Sequence, residues 1–140
     1  MWKGSTLYDL YQLAHTPYNW HKELFKYSKK IGITCFSTPF DLSAVDLLEK
    51  LKTPIYKIAS FEITDLELIK YVDKKNKPII ISTGMANLSE IKDAINVCKK
   101  NGKKKIIILH CVSSYPAVIN QSNVYTITDL YKKLNLNIGL

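Results

Sequence analysis

Arginine is missing from this sequence: all twenty basic residues among its 140 are lysine. Against twelve acidic residues they still leave a formal net charge of +8, a surplus that on its own suggests nucleic acid. Arginine, however, is the side chain that reads phosphate and guanine through two parallel hydrogen bonds. The lysines also gather where helix ends and loops fall, as at Lys99, Lys100, Lys103, Lys104 and Lys105. The composition reads as a solvated lysine-rich surface, with no nucleic-acid partner expected. No apolar run approaches the roughly 20 residues of a bilayer span, and the first residues lack the apolar core of a signal peptide. No membrane partner is expected either. The three cysteines, Cys35, Cys98 and Cys111, are odd in number and match no zinc or redox spacing. They read as reduced thiols of a cytoplasmic protein. A glycine-rich nucleotide loop and the HExxH and GxSxG signatures are absent too.

What the sequence does have is alternation. Leu7, Leu10, Tyr11 and Ala14 stand at helical spacing. Thr16 and Pro17 predict a second helix start, with Thr as cap and Pro at the first position, carrying Trp20, Leu24 and Tyr27 to an end near Gly32. Residues 33–37 read as a short strand, and residues 38–41 turn into a helix through Val45, Leu48 and Leu51. Pro54 closes that helix, and an apolar run follows to Ser60. Thr64 and Asp65 cap a helix through Leu68, Ile69 and Val72. Residues 79–82 and 106–110 are further strands, separated by a helix with Asn87 and Glu90 at capping-box spacing. A last helix surrounds Ile127, Leu130 and Leu134, and residues 137–140 begin another strand.

Strand and helix alternating four times predict an α/β fold with parallel βα units. Two architectures fit: an open doubly wound sheet, favoured by length, or about half of a TIM (β/α)8 barrel, favoured by the polar residues. Both place ligands at the C-terminal ends of their strands. Each strand-like run ends in small hydroxyl residues: Ser37 and Thr38, Ser82 and Thr83, Ser113 and Ser114. Lys57 interrupts the apolar run at 54–60, and Glu62 follows it. A charge on a buried strand costs several kcal/mol unless paired or ligand-bound. Lys57 reads as a cation for phosphate or carboxylate, or as a Schiff-base nucleophile; the plainer alternative is a lysine snorkelling from a strand edge. Glu62 faces a ligand or pairs with a surface lysine. His110 and Cys111 lack a nearby ligand partner and read as structural.

Four segments carry a resemblance: residues 37–41 (STPFD), 56–62 (YKIASFE), 77–85 (KPIIISTGM) and 111–116 (CVSSYP). In this order they closely resemble the sialic acid synthase family, and residues 2–21 look most like its pseudaminic acid branch. The resemblance spans nearly the whole chain. It implies a partial TIM-barrel synthase domain over residues 1–140, holding barrel units three to six, with further units, a Ser-Asp-His motif and a small antifreeze-like domain lying outside. The implied reaction condenses phosphoenolpyruvate with an open-chain amino sugar, a 6-deoxy diacetamido-altrose giving pseudaminic acid, and releases phosphate. By position, Lys57, Thr38, Ser60 and Ser82 resemble the groups that hold phosphoenolpyruvate. Glu62 and Tyr115 resemble the sugar-binding residues, and Ser113 stands where some relatives carry Asn. A divalent metal, Mn or Mg, serves the full-length family, and its two ligand histidines are expected outside this chain, which alone should bind none. Full-length relatives are expected to be homodimers, and this chain alone is expected to turn over little or nothing. Two rivals are a Schiff-base aldolase using Lys57 and a non-catalytic fragment acting as an assembly module.

Overall fold

The computed structural model describes residues 4, 6–99, 106–114 and 116–140. Two compact units divide the chain, Met1–Cys35 and Phe36–Leu140. The first holds α1 (Leu7–Ala14) and α2 (Tyr18–Lys30), neither of which buries a side chain. Thr6 and Asp9 close a capping box on α1. The expected Thr16 cap is corrected. Pro17 keeps an extended ψ of 143° and is itself the residue before the helix, which starts at Tyr18 without a side-chain cap. Gly32, at φ +76°, ends α2 as expected.

The second unit runs α3 (Leu42–Lys50), β1 (Tyr56–Ile58), a 3-10 turn (Ser60–Thr64), α4 (Leu66–Asp73), β2 (Ile79–Ser82), α5 (Leu88–Lys99), β3 (Ile106–Leu109), a second 3-10 turn (Ile119–Gln121), α6 (Thr126–Leu134) and β4 (Asn137–Gly139). The helix starts follow from short polar side chains accepting orphan amides. Asp41 accepts from the Ala44 amide at 2.8 Å and Asp65 from the Leu68 amide at 2.9 Å. The capping box forms as well: Asn87 Oδ1 accepts from the Glu90 amide at 3.0 Å, and Glu90 Oε2 from the Asn87 amide at 2.8 Å. Lys52, Asn76 and Asn135, each between a helix and the next strand, adopt left-handed φ of 58°, 58° and 51°.

Residues 33–37 are not a strand; no ladder joins them to the sheet. A run this short has little preference of its own and becomes a strand only through cross-strand partners. The four strands that do form are all parallel, in the order β1-β2-β3-β4. Tyr56 is opposite Ile79 and Ile79 opposite Ile106, so alternation fixes two faces. One face carries Tyr56, Ile58, Ile79, Ile81, Ile106 and Ile108, all at most 4% exposed. It packs under helices bearing Val45, Leu48, Leu68, Ile69, Val72, Ile91, Ala94 and Ile95, also buried. The other face carries Lys57, Ile80 and Ile107 opposite one another, each half-buried.

This arrangement decides between the two expected architectures. A doubly wound sheet reverses its strand order at a switch point and covers both faces with helices. Here the order is consecutive and one face alone is fully packed, as in an arc of a βα barrel. Among the described residues, no helix is long and apolar enough to cross a membrane.

Candidate functional site at the strand ends

With helices on one face of a parallel sheet, ligands meet the loops that follow the strands. Three such loops supply the polar groups here. After β1 the chain enters the 3-10 turn directly, which places Ser60 at the strand end and Glu62 two residues on. Ile63, 2% exposed, anchors that turn in the core. The Glu62 Oε2 is buried and has no hydrogen-bond partner among the described residues. A buried oxygen in that state costs about 1–3 kcal/mol, and more when charged. A cost of this kind persists where a ligand donor completes the group.

After β2, Ser82 and Thr83 are 3% and 4% exposed. The Thr83 amide and hydroxyl both donate to the Leu109 carbonyl, at 3.0 Å each, and clamp this junction to the end of β3. The Ala86 amide donates to the Thr83 carbonyl at 2.7 Å, closing a turn around Gly84 and Met85. After β3, the His110 amide extends the ladder by donating to Gly139 at 2.9 Å. The His110 Nε2 donates to the Ser122 carbonyl at 2.7 Å, which fits the structural role expected for it. The loop then delivers Ser113, an exposed residue.

The three loops meet at Gly84. A β-carbon built there would lie 2.6 Å from Ser60 Oγ and 2.7 Å from Ser60 Cβ, and would also collide with Ser113 Oγ. Ser60 follows β1 and Ser113 follows β3, with β2 between them. Both hydroxyls therefore bend over the end of the middle strand toward one point. The hydroxyls of Ser60, Ser82 and Ser113 make no hydrogen bond, and Lys57 no ion pair, among the described residues. Donors, a cation and an acceptor thus stand unpaired along one end of the sheet.

Of the residues expected from the sequence, Ser60 and Ser113 are brought together at Gly84. Glu62 shares the turn of Ser60, while Lys57 and Ser82 lie on the same sheet face, on neighbouring strands. Thr38 is half-buried ahead of the Asp41 cap and joined to none of them by a hydrogen bond. Tyr115 lies outside the described residues. Gly84 and the Thr83 clamp went unpredicted. The available signal was a glycine in a strand-to-helix junction, whose meaning depends on what approaches it.

Among the described residues, no group of three His, Cys, Asp or Glu side chains could hold a metal ion. These residues do not by themselves fit a divalent metal. A cleft of about 250 Å³ opens from the same junction beside α5 and α6, lined by Thr83, Gly84, His110, Thr126, Asp129 and Lys133 among others. Its charges are satisfied, since Lys133 pairs with Asp129 at 2.7 Å.

Comparison with known proteins bears on the whole chain. It is 44% identical over 140 residues to a pseudaminic acid synthase of Helicobacter pylori, covering all of this chain and 41% of that protein. It is 50% identical over 121 residues to an N,N'-diacetyllegionaminic acid synthase of Campylobacter jejuni, covering 85% of this chain and 36% of that protein. The crystal structure of an N-acetylneuraminic acid synthetase from Leptospira borgpetersenii superposes with a TM-score of 0.88 at 34% identity, over 94% of this chain and 46% of that one. The chain thus spans about two fifths of the length of the curated relatives it matches, and its βα units match part of a TIM barrel. The model of the NeuB family matches residues 1–140. With parallel βα units, unpaired polar groups at their C-terminal ends and a family match from first residue to last, this chain belongs to the NeuB family.

Proposed function

We propose that this chain supplies the phosphoenolpyruvate-holding part of a nonulosonic acid synthase, as a middle portion of the barrel. The observation that carries the proposal is the unpaired state of the polar groups at the strand ends. Lys57 is a half-buried cation without an ion-pair partner among the described residues, and Ser60 and Ser113 aim free hydroxyls at one point. Cation and hydroxyl donors together suit the carboxylate and phosphate of phosphoenolpyruvate. The acceptor Glu62 suits a donor on the sugar, a hydroxyl or amide N–H. Thr38 and Tyr115 join the phosphoenolpyruvate and sugar sides respectively, by resemblance.

In the reaction, C3 of phosphoenolpyruvate attacks the aldehyde carbon of the open-chain sugar. Water then adds at C2, and the tetrahedral intermediate releases phosphate and leaves a 2-keto acid. Fixed donors around the phosphate stabilise the charge it carries away as a leaving group. The sugar we propose is the 6-deoxy diacetamido-altrose of pseudaminic acid formation. The resemblance of residues 2–21 to the pseudaminic acid branch and the whole-chain match to the Helicobacter relative support this reading.

A thermal melt of the 140-residue chain with and without phosphoenolpyruvate tests the binding claim. A ligand at about 100 times its Kd adds about 2.7 kcal/mol of stability by mass action, so the midpoint should rise. A cooperative melt that phosphoenolpyruvate leaves unmoved would contradict the proposal. Lys57 should also escape borohydride trapping with a keto acid; a covalent adduct would favour a Schiff-base aldolase. NMR of the product made by the chain together with the family's remaining barrel segments tests the sugar, and a legionaminic configuration would reverse that assignment.

A further inference from the structure

Glycine is scarce in this chain, and two of the four described, Gly4 and Gly32, have a positive φ. Gly84 does not; its backbone is one that any residue adopts. Conformation therefore does not explain a glycine at this position. Space does. Of the three nearest atoms to a β-carbon there, two belong to Ser60 and one to Ser113, all closer than real β-carbons approach their neighbours.

The identity of those atoms matters. The Ser113 hydroxyl could swing aside by rotating χ1. The Ser60 Cβ, at 2.7 Å, could not, because the backbone fixes it. A methyl group at Gly84 would have to push the backbone of the 3-10 turn that begins at Ser60. The turn cannot recoil freely, since Ile63 locks its far side into the core and Thr83 locks the Gly84 junction to β3. Glu62 rides on the same turn, so a shift at Ser60 carries the buried carboxylate with it.

We infer that Gly84 is a positioning residue: its missing side chain is the gap in which the Ser60 and Ser113 hydroxyls converge, two donors from non-adjacent strands around one oxygen of a bound phosphate or carboxylate. The role follows from strand spacing. Neighbouring parallel strands lie about 4.8 Å apart, so groups following β1 and β3 would be held apart by any side chain on the strand between. Removing that side chain lets a single oxygen atom be gripped from both directions. Gly84 itself touches no reacting atom in this scheme. It acts through Ser60 and Ser113.

The inference rests on the phosphoenolpyruvate reading above, and the test separates the two. Affinities for phosphoenolpyruvate and for inorganic phosphate are measured by NMR titration of the 140-residue chain, with the amide signals of Ser60 and Glu62 followed in parallel. Gly84→Ala should weaken phosphoenolpyruvate binding about tenfold or more, the scale of losing hydrogen bonds to a charged group, and should displace both amide signals. Ser60→Ala with Ser113→Ala, which keeps Gly84, should weaken binding to a similar extent even if Gly84→Ala fails to fold. In the background Ser60→Gly with Ser113→Ala, the obstructing atoms are gone, and adding Gly84→Ala should change neither affinity nor melting midpoint. A general folding role for Gly84 would instead lower the midpoint equally in both backgrounds and would overturn the inference. Unchanged affinity in Gly84→Ala or in the double hydroxyl deletion would overturn it too, leaving the binding reading intact. If the unmodified chain binds neither anion, the binding reading fails, and the oxygen-gripping role fails with it.

Discussion

The two ends of the sheet treat their charges in opposite ways. At the N-terminal end, Lys77 donates to both oxygens of Glu49 at 3.0 and 2.9 Å, and the buried Tyr56 hydroxyl donates to the same carboxylate at 2.9 Å. Nearby, Tyr71 donates to Asp46 at 2.7 Å and Lys75 pairs with it at 3.3 Å. Burial raises the Glu49 pKa, but the Lys77 and Tyr56 hydrogen bonds outweigh it and hold the carboxyl below its ordinary value. Burial, then Glu49, pushes the Tyr56 phenol up. At the C-terminal end, Lys57 has no ion-pair partner among the described residues, and Glu62 Oε2 no donor. One end satisfies its charges internally. The other leaves its groups unpaired among the described residues, which is the division expected of a βα barrel.

Lys57→Met should break the contrast most visibly. Phosphoenolpyruvate affinity should fall about 10- to 100-fold, on the scale of about 1.5–3 kcal/mol for a hydrogen bond to a charged group. Its melting midpoint should hold or rise, because an unpaired, half-buried cation is removed; calorimetry in the presence and absence of ligand reads both quantities. A large loss of stability would show that Lys57 belongs to the structural set.

Tyr56→Phe should do the reverse. It removes the donor to Glu49 and should cost about 1–2 kcal/mol of stability while leaving phosphoenolpyruvate affinity unchanged. Denaturant unfolding with matched titrations measures this. Glu62→Gln should raise stability by about 1 kcal/mol, by relieving an uncompensated buried charge. The same change should impair binding of the sugar in protein carrying the remaining barrel segments. Destabilisation by Glu62→Gln would reveal a structural partner instead.

The N-terminal end also makes a pH prediction. The Asp46 pKa is lowered by the Tyr71 hydrogen bond first and then by Lys75, and Glu49 is lowered as described. Groups depressed on folding contribute stability that is complete above their unfolded pKa and is lost as pH falls through the folded value. The melting midpoint should therefore drop between about pH 5 and about pH 3. Glu49→Gln should start lower and fall less steeply, and an unaltered slope would remove Glu49 from the account. The smallest effect belongs to a pair outside both networks. Asp129→Asn, which breaks the half-exposed pair with Lys133, should change stability by less than about 0.5 kcal/mol.

Much of this was legible because its causes are local. Asp41, Asp65 and the pair Asn87 and Glu90 cap the helices their spacing announces. The isoleucine runs of β2 and β3 pair as expected. Lys57 and Glu62 were visible because a charge beside apolar residues needs a reason wherever it falls. What stayed hidden depends on partners distant in sequence. Residues 33–37 have strand composition but no ladder, and the choice between barrel and open sheet needed the strand order. The convergence of Ser60 and Ser113 on Gly84 needed both the order and the register of three strands. No local pattern encodes that.

The consecutive strand order has a kinetic consequence as well. Among the described residues, each strand pairs with the strand next to it in sequence. Loop-closure entropy therefore stays modest at each of these pairing steps. Each βα unit after β1 finds its docking edge already made, so growth in the direction of translation suits this sheet.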